Sequence, residues 1–106
     1  MRRIEVTKWK AKDMQGNETE ETLLVALNIL IVNKKPEDMP KGLDKFRLFN
    51  KLSKAFENAE KSGALVLEES EYKFLKETIE KDIPSSWGMN SSISGAIEAF
   101  LDAKEE

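Results

Sequence analysis

The sequence predicts an α+β fold that is mainly α, with an N-terminal β-hairpin followed by about four helices packed as a small bundle. Strand-forming residues are concentrated in the first dozen positions and are followed by turn residues, which is typical of a hairpin. Beyond residue 22, apolar residues recur at spacings of three and four, which is the helical period. The 106 residues fit a single domain, with residues 1–22 as the hairpin and residues 23–104 as the helical part.

The first strand is predicted over Arg3–Lys12, where Val6 and Trp9 supply strand-forming side chains. The apolar alternation changes phase between these two residues, which indicates either a β-bulge or a strand covered on both faces. A turn is predicted at Asp13–Asn17, because Asp, Gly and Asn favour turns. A short return strand near Glu18–Thr22 completes the hairpin.

The segment Leu23–Val32 is apolar almost throughout. Its length, with Leu and Ala at the start and Asn28 inside, favours a helix, whereas its β-branched residues leave a buried strand as the alternative. As a helix it is apolar around nearly its whole circumference and must be covered on several sides. We therefore expect a dimer or larger homo-oligomer. The alternative is that this helix is the central core element of a monomer.

Pro36 and Pro40 predict a loop over Lys34–Gly42.

The clearest helix is predicted over Leu43–Ser62, and Gly63 is expected to end it because glycine adopts the left-handed conformation common at helix ends. The next segment, Ala64–Leu67, is a short apolar connector and a candidate strand fragment. Another helix is predicted over Glu68–Asp82, and the proline at position 84 prevents its continuation.

A loop, Ser85–Met89, separates that helix from the last one, which Asn90 or Ser91 is expected to cap. The inner faces of the three C-terminal helices predict one common core. Its predicted members share the helical spacing and are Phe46, Phe49, Leu52, Phe56, Tyr72, Leu75, Ile79, Ile97 and Phe100.

The sequence contains no Cys and no His. These absences exclude disulfides, thiolate nucleophiles and histidine bases or metal ligands. Because P-loop, dinucleotide-binding and EF-hand motifs are also missing, we predict no enzymatic activity, no metal and no cofactor. No apolar stretch reaches the ~18–20 residues that span a bilayer. The N-terminus lacks the apolar core of a signal peptide, so we expect a cytoplasmic protein without a membrane partner.

The net charge of −3 is unevenly distributed, since residues 1–33 are neutral, residues 34–65 carry +3 and residues 66–106 carry −6. On the longest predicted helix, the face opposite the phenylalanines is basic or amide-bearing: Arg47, Asn50, Lys51, Lys54, Asn58 and Lys61. Such a face either contacts phosphates or an acidic partner, or is a solvated helix exterior, which is more common. A second basic run on the first strand either contacts a partner or protects a strand edge: Arg2, Arg3, Lys8, Lys10 and Lys12.

Trp87 and Met89 are two large apolar residues within the predicted loop. Because Trp is enriched at energetically important contacts, both residues are candidate partner contacts. The alternative is that the loop lies over the helical core with Trp87 as its lid. Together with the basic residues, they complete the candidate partner-contacting set: Arg47, Lys51, Lys54, Lys61, Trp87 and Met89.

Three stretches resemble small proteins of tailed bacteriophages and prophages: Lys41–Asn50, Leu67–Lys76 and Ile83–Asn90. The resemblance covers about residues 20 to 103. It implies a small accessory, assembly or host-directed protein, in the cytoplasm of the host cell if it is encoded by a phage. It implies no catalytic or ligand-binding residue.

The sequence therefore favours a non-enzymatic protein–protein interaction module that forms homo-oligomers or docks onto a larger protein. The alternative is a nucleic-acid-binding accessory protein that uses the basic helix face. Salt-dependent binding of DNA or RNA distinguishes these two functions, because phosphate contacts release counterions.

Overall fold

The computed structural model describes residues 1–12, 15–34, 37, 39 and 41–104. In chain order its strands and α-helices are β1 (Arg2–Glu5), β2 (Lys8–Lys12), β3 (Glu18–Thr22), α1 (Leu23–Val32), α2 (Leu43–Ser62), β4 (Ala64–Leu67), α3 (Glu69–Asp82) and α4 (Ser91–Leu101). A 3-10 helix, Ser85–Met89, links α3 to α4. The predicted class is confirmed. The predicted turn Asp13–Asn17 and loop Lys34–Gly42 lie partly outside the described residues.

The N-terminal hairpin is confirmed as β2 and β3, but the prediction of one continuous first strand is wrong. β1 pairs antiparallel with β4, whereas β2 pairs antiparallel with β3. The chain passes from one sheet to the other at Val6 and Thr7. The Val6 N–H donates to the Gly63 carbonyl at 3.0 Å, and the Thr7 carbonyl accepts from the Leu23 N–H at 3.0 Å. The change of phase therefore marks a break between two strands.

The apolar segment Leu23–Val32 is a helix, as the favoured prediction states. Thr22 caps it, because its hydroxyl oxygen accepts from the Val25 N–H at 3.4 Å. The inner face of α1, which includes Leu23 and Leu27, is fully buried. This face packs against α3 and α4, so α1 forms one wall of the core.

The other helices begin and end at local signals in the sequence. Gly63 ends α2 at a φ of 81°, and its N–H donates to the Ala59 carbonyl at 2.8 Å. Asn90 caps α4, because its side-chain oxygen accepts from the Ser92 N–H at 3.0 Å. The end of α2 and the cap of α4 are therefore confirmed. The third helix begins one residue later than predicted, with Glu68 as its N-cap residue.

One hydrophobic core joins the helices to β1 and β4. Six of the predicted core residues are buried in it: Leu52, Tyr72, Leu75, Ile79, Ile97 and Phe100. Phe49 and Phe56 are half-buried at its margin, and Phe46 is 68% exposed, so the predicted burial of Phe46 is wrong. Helical geometry gives the reason. Two steps of three residues from Leu52 to Phe46 rotate the side chain by ~120° around α2 and away from the core.

Arg2 connects β1 to both α3 and the end of α4. Its Nε donates to Glu69 Oε1 at 2.7 Å, and its guanidinium lies 4.2 Å from the centre of the Tyr72 ring. A further guanidinium N–H donates to the Ala103 carbonyl. The Tyr72 hydroxyl donates to the Phe100 carbonyl at 2.9 Å, which satisfies a carbonyl group at the end of α4.

Candidate functional site

The basic candidate residues lie on the exposed side of α2. Arg47, Lys51, Lys54 and Lys61 are all exposed, as the helical period predicts for residues opposite the buried face. The structure brings Arg47 and Lys51 into a concave site, whereas Lys54 and Lys61 lie outside its lining. The predicted basic face is therefore divided, because Lys61 lines a separate cavity at the end of α2 and Lys54 lies outside both linings.

A cleft of about 540 Å³ lies between α2 and α3 and includes Arg47 and Lys51. Lys73 of α3, which sequence reasoning missed, lines the same cleft. The amine of Lys51 forms an ion pair with Glu68 at 3.2 Å. Two further acidic side chains contribute to the lining: Asp44 and Glu77. The cleft therefore has mixed charge, and one of its cations already has an anionic partner.

A second concave surface of about 400 Å³ lies between α1 and α2, and we call it the α1–α2 groove. Its apolar lining comes from both helices: Leu24, Val25, Ile31, Phe49, Leu52 and Phe56. Among the residues that the structure describes, its polar lining carries acidic but no basic side chains: Thr22, Asn28, Ser53, Glu57 and Glu60. The groove therefore combines an apolar floor with an acidic edge on α2.

Large apolar side chains are exposed on the two helices that form this groove. On α1, Val25, Ile29 and Val32 follow one another at helical spacing, and Val32 is 70% exposed. On α2, Leu43 and Phe46 are exposed near the N-terminal end. The composition of α1 predicts that some of its apolar side chains remain exposed. The exposed apolar side chains of α2 were not predicted, because the helical spacing alone assigned Phe46 to the core.

The start of α1 lies beside the end of α2. Leu24 and Val25 line a further cavity of about 470 Å³ together with Glu60. The same three residues also line the α1–α2 groove, so the two cavities adjoin. Phe46 precedes Glu60 by fourteen positions on α2, which corresponds to ~21 Å along the helix axis. A chain therefore cannot place its own Phe46 in this end of its groove.

Trp87 and Met89 lie in the 3-10 helix, away from these surfaces. Trp87 is half-buried against the core and lines a cavity of about 200 Å³ with Ile93 and Ile97. Met89 is 92% exposed. The lining of this cavity includes none of the basic residues of α2, so the predicted partner-contacting residues do not form one continuous site.

The basic run predicted on the first strand has acidic neighbours. Arg3 Nε lies 3.6 Å from Glu5 Oε1, and Lys8 Nζ lies 3.9 Å from Glu20 Oε1. Arg2 pairs with Glu69, as described above. These contacts favour the interpretation of this run as strand surface over that of a cationic docking surface.

Within the described residues, no cluster of three or more acidic side chains has the arrangement of a metal site. Shifted pKa values occur in the cluster around Arg2. The hydrogen bond from Arg2 lowers the pKa of Glu69, and burial raises the pKa of Tyr72. Both shifts arise where β1 packs against the helices, at the contacts that Arg2 makes with α3.

Comparison of the chain with family models, with curated proteins and with solved structures gives no match. Among the helices of the described segments, none combines the length and apolar character that crossing a bilayer requires. The surfaces of α1 and α2 are therefore the basis for assigning a function.

Proposed function

We propose that this chain is a non-enzymatic protein–protein interaction module that binds its partner in the α1–α2 groove. The single observation that carries this proposal is the apolar lining that the groove leaves accessible on both helices, with Val25 of α1 45% exposed and Phe49 and Phe56 of α2 half-buried. The resemblance to small proteins of tailed bacteriophages and prophages supports a role as a phage-encoded accessory, assembly or host-directed protein.

The energetic reason is the cost of leaving this surface in water. Complete burial of a large apolar side chain contributes about 1.5–3 kcal/mol. Monomeric proteins rarely leave several such side chains together on one surface unless a partner covers them. An amphipathic helix is the matching shape for a groove between two helices. Basic residues beside its apolar face would complement Glu57 and Glu60 on the groove edge.

Site-specific photocrosslinking tests this function. A photoreactive phenylalanine analogue at Asn28, which is exposed and lines the groove, is expected to crosslink a partner protein in cells that produce the chain. The same analogue at Ser92, which is exposed on α4, is the matched control. The Asn28 product should disappear when Val25→Asp is added, because that change places a charge in the apolar lining of the groove. Equal products from both positions would contradict the proposal.

Nucleic-acid binding is the second candidate, and one observation favours it. Lys73 lies in the same cleft as Arg47 and Lys51, so cations from two helices line one concave surface. Glu68, which pairs with Lys51, and the net charge of −6 on residues 66–106 oppose the approach of a polyanion. We therefore rank this function below protein binding.

A charge-reversal experiment separates the two functions. If the basic face of α2 binds nucleic acid, through the cleft and the helix surface beside it, combining Lys51→Glu with Lys54→Glu abolishes affinity at low salt while the fold persists, because both side chains are exposed. We expect the unmodified chain to bind DNA and RNA only weakly near ~150 mM salt, because phosphate contacts are salt-dependent. Submicromolar affinity under these conditions, lost in the double variant, would promote the second candidate over the first.

A further inference from the structure

We propose that the cavity beside Trp87, which we call the Trp87 pocket, binds a small amine: an ammonium group carried on an aromatic or aliphatic body. The pocket lies between the end of α3 and α4, and it shares no lining residue with the α1–α2 groove. The inference is therefore independent of the proposed function. It gives a role to Trp87, the candidate contact that the groove leaves unused.

The walls of the Trp87 pocket are apolar. The described residues that line it belong to one stretch of chain, residues 83–98, which passes from the end of α3 through the 3-10 helix into α4. Ile97 is buried, whereas Trp87 and Ile93 are half-buried, so the pocket extends from the core to the surface. An apolar lining of this kind binds an apolar body, which a few polar groups then orient. The full apolar lining is Ile83, Pro84, Trp87, Ile93 and Ile97.

The size of the pocket suits a single ring. Its volume is about 200 Å³. A dry cavity of ~150 Å³ lined by leucine, isoleucine and phenylalanine accepts benzene. The Trp87 pocket therefore has room for one ring or a short alkyl chain that carries a polar head group, and it is too small for a docked helix.

The charge in the lining identifies the head group. Glu98 lines the pocket and is exposed, which places its carboxylate where the pocket meets solvent. In the sequence from position 83 to position 101, Glu98 is the single charged residue. Within the part of the chain that the structure describes, Glu98 takes part in no ion pair. Its carboxylate is therefore available to a cation that enters from solvent.

The remaining polar and aromatic groups of the pocket also favour a cation. Ser85 and Ser94 line it, and their hydroxyl oxygens can accept hydrogen bonds from an ammonium group. Trp is the aromatic side chain that attracts cations most strongly, through the face of its ring. A carboxylate, two hydroxyls and an indole ring around an apolar cavity together match the chemistry of an organic ammonium ion.

The local charge disfavours an anionic ligand. Among its described residues, the pocket lining contains no Lys or Arg. Residues 66–106 carry a net charge of −6. A phosphate or carboxylate head group would face Glu98 without a compensating cation, and like charges at a contact lower affinity. The sign of the head group should therefore distinguish the ligand from molecules of the same shape.

NMR titration of the full chain tests the inference with three probes that share a phenethyl body: phenethylammonium, phenethyl alcohol and hydrocinnamate. The chain has two tryptophans and hence two indole N–H signals. We expect phenethylammonium to shift the Trp87 indole signal and the amide signals of Ser94 and Glu98 until saturation. The alcohol should bind more weakly and hydrocinnamate most weakly. The Trp9 indole N–H, which donates to Glu21 Oε2 at 3.2 Å, lies outside the pocket and is the internal control.

Three variants locate the ligand within the pocket. Glu98→Gln keeps the shape of the side chain and removes its charge, so it should raise the dissociation constant of phenethylammonium about threefold and leave that of phenethyl alcohol unchanged. Ser94→Leu fills the pocket and should abolish the binding of both probes. Met89→Ala is the matched control, because Met89 is exposed on the same 3-10 helix but does not line the pocket. It should change neither dissociation constant.

The absence of a saturable shift of the Trp87 indole signal would overturn the inference. Equal affinities for the three probes would also overturn it, because Glu98 would then not select the head group. Binding that persists in a folded Ser94→Leu chain would place the amine on another surface. If Ser94→Leu does not fold, an unchanged dissociation constant of phenethylammonium in Glu98→Gln still overturns the inference.

Discussion

Arg2 and Glu69 form a two-point ion pair, with Nε 2.7 Å from Oε1 and Nη2 3.3 Å from Oε2. The pair connects the first strand to the first turn of α3 across 67 residues of chain. The same guanidinium covers the face of the Tyr72 ring, which adds a cation–π contact. One side chain thus links an exposed ion pair to the buried core.

Removing the negative charge of Glu69 should destabilise the fold in a pH-dependent manner. The hydrogen bond from Arg2 lowers the pKa of Glu69 below its ordinary value of 4.5. The contribution of the Glu69 carboxylate to stability is therefore complete above pH 4.5. It is lost as the pH falls through the lowered pKa of Glu69 in the folded state. Glu69→Gln is expected to unfold at a lower urea concentration than the unmodified chain at pH 7, and the difference should vanish in strong acid. Glu80→Gln is the control, and an equal effect at position 80 would contradict the prediction.

Tyr72→Phe should cost about 1–2 kcal/mol of stability at neutral pH, because it removes a buried hydrogen-bond donor. The hydroxyl lies 2.9 Å from the Phe100 carbonyl and 3.0 Å from the Leu101 carbonyl. Burial raises the pKa of Tyr72, so the folded state resists ionisation more than the unfolded state does. The contribution of the neutral Tyr72 hydroxyl to stability is therefore fully present below pH ~10. It is lost as the pH rises through the raised pKa of Tyr72 in the folded state.

Urea titrations between neutral and alkaline pH should show this loss in the unmodified chain and a smaller loss in Tyr72→Phe. Because the chain has a single tyrosine, its ultraviolet absorbance titration reports this residue alone. If the stability of both proteins falls equally with rising pH, the buried Tyr72 hydroxyl is not the cause of the alkaline loss of stability.

Replacing two glycines by alanine should change stability in opposite directions. Gly63 has a φ of 81°, so Gly63→Ala is expected to cost about 1–2 kcal/mol. Gly95 lies inside α4 and is exposed, so Gly95→Ala should add about 0.5–1 kcal/mol through helix propensity. At both positions an added methyl group meets no atom within 4 Å, which leaves backbone conformation as the cause. Thermal unfolding measures both effects, and a shift of the same sign would refute this account.

Two phenylalanines should contribute very differently to the stability of the fold. Phe100 is fully buried, so Phe100→Ala is expected to cost about 3–5 kcal/mol. Phe46→Ala should change the stability of the fold by no more than ~0.5 kcal/mol, because the ring is exposed. Urea titration measures both effects, with each variant compared with the unmodified chain at the same protein concentration. A large loss of stability in Phe46→Ala would show that the Phe46 ring lies in the core.

Helix positions were predictable because their signals are local. Gly63 ends α2 through its own backbone freedom, and Asn90 caps α4 through its own side chain. The break between β1 and β2 at Val6 and Thr7 was not predictable, because it depends on which strand β1 pairs with. That partner, β4, lies beyond two helices in the sequence, and no local pattern specifies the pairing.

The candidate site was only partly predictable for a related physical reason. The angular position of Arg47 and Lys51 follows from the helical period, and the structure confirms that both are exposed. The presence of Lys73 opposite them depends on how α3 packs against α2, which spacing within one helix does not determine. The exposure of Phe46 was accessible in principle, because its rotation from Leu52 is a property of α2 alone.

The pairing of β1 with β4 has a consequence for the order in which the chain folds during synthesis. A ribosome adds about 5–20 residues per second, so Arg2 is incorporated roughly 3–13 s before Glu69, which lies 67 residues later. Throughout that interval the first strand has neither its neighbouring strand nor its ion-pair partner. Arg3 and Glu5 flank Ile4, the apolar residue of β1. Charged residues in these positions are typical of strands that must not aggregate before they pair. β1 is therefore made well before β4 and is among the last strands to reach its final place.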